Sequence, residues 1–252
     1  YPNRFFNMGI AEQNLVGAAC GFAAAGKIPF ASTFAMFATG RAFEVIRNSA
    51  CYPKLNVKIC ATHAGITVGE DGGSHQSVED ISLMRSVPNM TVLVPADGVE
   101  AEKMIFAASE FNGPMYVRLG RSAVPTLFNE DYNFEIGKGV VLKEGNDATI
   151  IACGMMVNEA ILAADMLKGE NINVRVINMS TIKPIDTELI IKAAKETKAI
   201  VTAEEHSIIG GLGSAVSEVV SENCPIIVKK VGINDCFGES GTPAELLEKY
   251  GL

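Results

Sequence analysis

One carboxylate opens the chemistry of this chain. Glu12 stands in NMGIAEQN, residues 7–14, directly ahead of LVGAACGFAAAG, a segment whose Ala, Leu and Val content reads as a buried helix. An acid in a first helical turn stabilises the helix dipole by about 0.3–1 kcal/mol. The alternative is a carboxylate held in a dry place because its proton is used. The loop THAGITVGEDGGSHQ, residues 62–76, is different in kind: it carries Glu70 and Asp71 together with two of the chain's three histidines, His63 and His75. Its glycines would let a substrate approach closely. It also leaves the end of a strand-like run, VKICAT, and ligands of parallel sheets bind at the carboxyl ends of strands.

Two further pairs are candidates. Phe34 and Phe37 in STFAMF lie three apart at a strand-to-helix turn and could share a face, although such a pair is ordinarily core. Arg118 and Arg121 end the strand PMYVRLGR, where an arginine suits a phosphate or carboxylate ligand or a surface ion pair. GGLGSA, residues 210–215, lies between a strand and a helix as a phosphate loop would, but lacks the GxGxxG spacing and a lysine. It reads as a helix entry. Glu204, Glu205 and His206 just before it are expected at an interface or on plain surface.

The elements that must position these residues alternate. The pattern predicts helix over 10–25, strand over 28–32, helix over 35–50, strand over 57–62, helix over 78–85, strand over 91–95, helix over 98–110 and strand over 114–119. A Pro-, Asn- and Asp-containing linker follows, and the alternation restarts with strands at 140–143, 148–152, 174–178, 199–203 and 226–231. Helices fit at 157–167, 187–196, 212–221 and 243–249. This predicts two doubly wound α/β domains with mostly parallel sheets, 1–125 and 136–252, joined by a linker at 126–135.

Composition excludes several classes. With 252 residues, 48% hydrophobic and 20% charged, the chain is that of a well-packed globular protein. A net charge of −8 argues against nucleic acid or an anionic membrane as the main partner. No apolar run approaches the ~20 residues needed to cross a bilayer. The six cysteines form no CxxC and read as reduced thiols of a cytoplasmic protein. Three histidines without HxxxH or HExxH leave no protein-only zinc site. The chain opens at Tyr1 without an initiator Met, so it is expected to be part of a longer polypeptide.

In this order, RFFNMGIAEQN, FASTFAMF, ATHAGITVGEDGGSHQ, PNMTVLVPAD, the arginine strand and the second α/β unit resemble transketolase. The resemblance covers the pyrimidine-binding and C-terminal domains, and most closely the C-terminal subunit of split transketolases. It implies thiamin diphosphate as cofactor and two-carbon ketol transfer between sugar phosphates in the pentose phosphate pathway. Glu12 would then bond N1′ of the aminopyrimidine and share the proton that lets the 4′-amino group deprotonate C2. Phe34 and Phe37 would form the aromatic wall. His63 and Arg121 would bind the sugar phosphate, Asp71 a substrate hydroxyl, and His75 would stand near the reacting carbon. Arg118 is left as structural or secondary.

The family's GDG-and-Asn diphosphate signature is absent. The resemblance therefore implies that a partner chain or N-terminal domain supplies the diphosphate contacts and the ligands for Mg²⁺ or Ca²⁺, in a dimer or heterotetramer. It also implies that the first domain lacks its opening strand–helix unit. 1-Deoxyxylulose-5-phosphate synthase shares IAEQ and a DGxxHQ loop, and the β chain of 2-oxo-acid dehydrogenases shares GIAEQ. A non-catalytic transketolase-like binding module is a third alternative.

Overall fold

The computed structural model describes all residues, Tyr1–Leu252. The first half contributes α1 (Glu12–Ala24), β1 (Phe30–Ala31), α2 (Phe43–Val45), β2 (Lys58–Ala61), α3 (Asp80–Ser86), β3 (Thr91–Leu93), α4 (Gly98–Glu110) and β4 (Met115–Arg118). The second half begins with β5 (Val140–Lys143), β6 (Ala148–Ala152), α5 (Met156–Gly169), β7 (Val174–Asn178) and β8 (Thr181–Lys183). It continues through α6 (Thr187–Glu196), β9 (Ile200–Ser207), α7 (Leu212–Asn223), β10 (Val228–Ile233) and α8 (Pro243–Tyr250). Two five-stranded sheets result, in the orders β1-β2-β4-β3-β8 and β10-β9-β6-β7-β5. Every pairing is parallel except β3 with β8 and β5 with β7.

The central strands are apolar at nearly every position because both sheet faces are covered. β2, β3 and β4 are buried throughout. Lys58, Thr91 and Arg118 are their polar residues, and Lys58 Nζ donates to the carbonyls of Phe111 at 2.7 Å and Gly113 at 2.8 Å. Burial lowers the Lys58 pKa to about 8, against a small opposing effect of Cys60. All six cysteines are free, four of them buried. No helix is long and apolar enough to cross a membrane.

Three expectations need correction. The helix expected over 35–50 is broken: α2 is flanked by π-helical turns at Phe37–Arg41 and Ile46–Cys51. Apolar spacing alone cannot separate an α turn from the wider π turn, which carries one more residue per hydrogen-bonded ring. β8 was not foreseen. It follows β7 after only Met179 and Ser180, yet pairs with β3 of the other sheet, Val92 facing Lys183.

Glu204, Glu205 and His206 are not surface. They lie on β9 and are all buried. The Glu204 carboxylate accepts from the backbone N–H groups of Leu212 (2.7 Å) and Gly213 (2.8 Å), so it occupies the place at the start of α7 where a phosphate would bind. GGLGSA is a helix entry closed by the chain's own anion. A single cluster of 35 buried apolar residues runs from Val16 on α1 through Tyr116 to Ile177 and Val220, so the two sheets share one core rather than meeting across a wet seam.

Candidate functional site

Five of the seven residues singled out in the sequence form one chain of contacts above the carboxyl ends of β1 and β2. The Phe34 ring stacks on the His63 imidazole, centroids 3.8 Å apart and planes 10° from parallel. Phe37 lies 6.1 Å from Phe34, and its ring meets the His75 ring nearly perpendicularly at 5.3 Å. Pairs of rings contact directly at about 4.5–7 Å. At 6.1 Å no third ring fits between the phenylalanines. An isolated parallel bridge between Phe34 and Thr62, three residues beyond the last regular β1–β2 pair of Ala31 with Ile59, brings Phe34 to the residue before His63.

Glu12 joins the cluster through a residue that the sequence reading did not mark. Its Oε2 accepts from Nη1 of Arg41 at 2.8 Å, and the Arg41 guanidinium lies 4.7 Å from the Phe37 ring centroid. Phe37 and Arg41 begin and end the same π-helical turn. Glu12 is 5% exposed. Burial by itself raises the pKa of its carboxyl. The hydrogen bond and charge of Arg41, with the Glu12 backbone N–H, outweigh that and hold it below the usual glutamate value. The neighbouring guanidinium thus favours the ionised form of the Glu12 carboxyl.

Asp71 and Arg121 stand beside the histidines and face each other, Nη1 to Oδ2 3.2 Å, both about half exposed. Arg121 also donates to the Val68 carbonyl. His63 adopts a left-handed backbone, φ 59°, which costs energy in a side chain with a Cβ and is typical of functional loops. Its Nδ1 lies 2.9 Å from the Thr62 hydroxyl. Burial lowers the His63 pKa, Arg121 lowers it further, and Asp71 opposes them. A neutral imidazole results at pH 7. Arg118, by contrast, points down into the junction of the halves, its Nε 2.8 Å from Asp80 and its Nη2 2.9 Å from the Glu205 carbonyl.

The loop is shaped from below by the second half. Glu205 Oε1 accepts from Thr67 N–H at 2.7 Å, and its carboxyl would overlap any Cβ added at Gly65. Gln76 Nε2 donates to the carbonyls of Ile66, Gly69 and Glu239. Gly73 packs so closely on the Gly238 carbonyl that a Cβ there would stand 2.6 Å from it. The sequence offered a partial signal for Gln76, which follows His75 directly. It offered none for Glu205, 138 positions from Thr67.

The comparisons with known proteins agree with one another. The family model for the transketolase pyrimidine-binding domain matches residues 1–126, and that for the transketolase C-terminal domain matches residues 137–252. The chain belongs to the transketolase family. It is 54% identical over its whole length to a Methanocaldococcus jannaschii protein assigned as a transketolase C-terminal section, 80% of which it covers. It is 45% identical to the 6-deoxy-6-sulfo-D-fructose transketolase subunit of a Clostridium species, again over the whole chain and 78% of that protein. A solved structure of a split-gene transketolase, described as an inactive β4 tetramer, superposes with a TM-score of 0.94 at 62% identity. That match covers all of this chain and 80% of the other. The two matched domains together account for nearly all of these residues.

The residues present fit one part of a thiamin diphosphate molecule. Glu12 has one carboxylate oxygen bonded to Arg41 and the other bonded by no side chain, and Arg41 links it to an aromatic pair that can wall a heteroaromatic ring. No group of three His, Cys, Asp or Glu side chains is arranged to hold a metal ion. The anion place at the start of α7 is filled by Glu204.

Proposed function

We propose that this chain supplies the pyrimidine half of a thiamin diphosphate site and one wall of a sugar-phosphate channel. The enzyme would be a cytoplasmic ketol transferase moving a two-carbon unit from a ketose phosphate to an aldose phosphate. An N-terminal transketolase subunit would bring the diphosphate contacts and the ligands for Mg²⁺ or Ca²⁺, in a dimer or heterotetramer. The observation that carries the reading is the continuity of Glu12, Phe37, Phe34, His75 and His63 in one run of contacts, with Asp71 and Arg121 at its edge.

Thiamin diphosphate, when bound, supplies the electron sink for breaking and forming the carbon–carbon bond. Each residue of this chain then has a defined task. Glu12 bonds a ring nitrogen and exchanges a proton with it. Phe34 and Phe37 exclude water from the ring and supply the apolar wall beside it. His63, uncharged near pH 7, donates or accepts a hydrogen bond to substrate without adding charge. Arg121 binds the phosphate, and because it already pairs with Asp71, an incoming phosphate exchanges that exposed ion pair for its own. Asp71 is then released toward a substrate hydroxyl, and His75 stands against Phe37 near the reacting carbon.

The test is Glu12→Gln in the assembled two-subunit enzyme, assayed with a ketose phosphate donor. Gln keeps the size and cannot exchange the proton, so turnover should fall by about 10²–10⁴-fold, the usual contribution of a positioned acid–base group. Undiminished turnover would overturn the reading. Calorimetric titration of thiamin diphosphate and Mg²⁺ into this chain alone should show no tight binding, whereas tight binding would place a whole cofactor site within it.

A further inference from the structure

Arg41 is the one strongly placed charge in the site that the proposed function leaves without a task. It is half exposed, so it is not needed to fill the core. Yet it is held at three points. Nη1 bonds Glu12 Oε2, the guanidinium lies over the Phe37 ring, and the Arg41 carbonyl accepts from Nε2 of Gln13 at 3.3 Å. Two of these contacts run back to consecutive residues of α1, Glu12 and Gln13. The third is to the aromatic wall. Phe37 and Arg41 are four apart in one helical turn and so lie on the same side of it.

The bond to Glu12 is to one oxygen only. A bidentate fork would have tied both carboxylate oxygens to the guanidinium. Here Oε2 is pinned by Arg41, and no other side chain bonds the carboxylate. We propose that Arg41 is the positioning residue of the cofactor half-site: it fixes the Glu12 carboxylate by one oxygen, presents the other to the ring nitrogen, and sets where the shared proton rests. This rests on the assignment of Glu12 to the pyrimidine ring. Arg41 is the only ionisable side chain acting on Glu12, and its charge favours the glutamate anion. With Arg41 in place the shared proton is therefore biased toward the ring. Without it, buried Glu12 holds the proton more tightly, and the pair loses that proton at a higher pH.

The experiment uses Arg41→Met and Arg41→Lys in the assembled enzyme, with Glu12→Gln in parallel. Each is titrated with thiamin diphosphate in the presence of Mg²⁺, and the bound ring's protonation is followed by near-ultraviolet circular dichroism across pH. Arg41→Met should weaken cofactor binding by about tenfold, the loss of one charge-assisted positioning bond, and move the ring's protonation midpoint to higher pH. Arg41→Lys, which keeps the charge but not the planar contact with Phe37, should move the midpoint less than Met does. A purely structural arginine would change affinity or stability but leave the midpoint where it was, and that result overturns the proposal. If Glu12→Gln abolishes the ring signal and Arg41→Met leaves both affinity and midpoint unchanged, only the role of Arg41 fails. If Glu12→Gln itself changes nothing, the cofactor assignment fails with it.

Discussion

The same residue types do opposite work in two neighbouring regions of this chain. At the mouth stand Glu12, Arg41, His63, Asp71, His75 and Arg121, where one carboxylate oxygen of Glu12 bonds Arg41 and the Asp71–Arg121 pair is half exposed. A few ångströms below, Asp80, Arg118, Glu204, Glu205 and His206 are almost wholly buried. There Arg118 bonds both Asp80 and the Glu205 carbonyl, Tyr116 donates to Asp80 at 2.6 Å, and His206 Nε2 accepts from Ser82 N–H at 3.3 Å. The upper charges keep open valences that a ligand can fill. The lower ones are committed to one another and to backbone groups from both halves, with Asp80 Oδ1 the one orphaned oxygen among them. What separates a site from a scaffold is the share of hydrogen-bonding capacity left unused.

Breaking the lower region should have the largest effect. Arg118→Leu leaves the Asp80 carboxylate buried without its cation, and loss of one partner of a buried pair costs about 3–5 kcal/mol. Chemical denaturation of the chain should show this. Asp71→Asn breaks the exposed pair at the mouth and should cost under about 1 kcal/mol. Equal losses for the two would erase the distinction between the regions.

A smaller effect tests the link between them. Glu205→Ala leaves Thr67 N–H without its acceptor at a site from which water is excluded, a loss of about 1–3 kcal/mol. Amide exchange should quicken around residues 65–69 while α4, which does not touch Glu205, stays protected. Uniform loosening of both would show that Glu205 supports the whole fold and not the loop.

The smallest effect is electrostatic. Arg121→Gln removes a positive charge that disfavours the His63 imidazolium, so the His63 pKa should rise back toward its ordinary value. Asp71→Asn should lower it, since that carboxylate favours the charged ring. Nuclear magnetic resonance titration of His63 reads both signs. Shifts of the same sign in the two variants would break the geometry given for the loop mouth.

Much of this was legible in the chain. The βα alternation marks parallel sheets because covered strands must be apolar and helices amphipathic, and the IAEQ, STFAMF and GEDGGSHQ segments carry their chemistry within a few residues each. The linker region and β8 show the limit. A three-residue strand such as Thr181–Lys183 has no periodicity to read, and its partner, β3, is fixed by the packing of two sheets on a shared core. Glu204, Glu205 and His206 look in sequence like any polar strand end, because burial is not a local property.

By itself, then, the sequence determined the two α/β halves, the family, and most of the side chains at the mouth, since each depends on residue type and short-range spacing. Only the tertiary structure decided which charges are free and which are committed. It placed Arg41 on Glu12 across 29 positions, turned Arg118 inward to Asp80, and set Glu205 beneath the substrate loop. The physical reason is that a charge takes its role from its solvent access and its partners, and both are fixed only when distant segments of the chain meet.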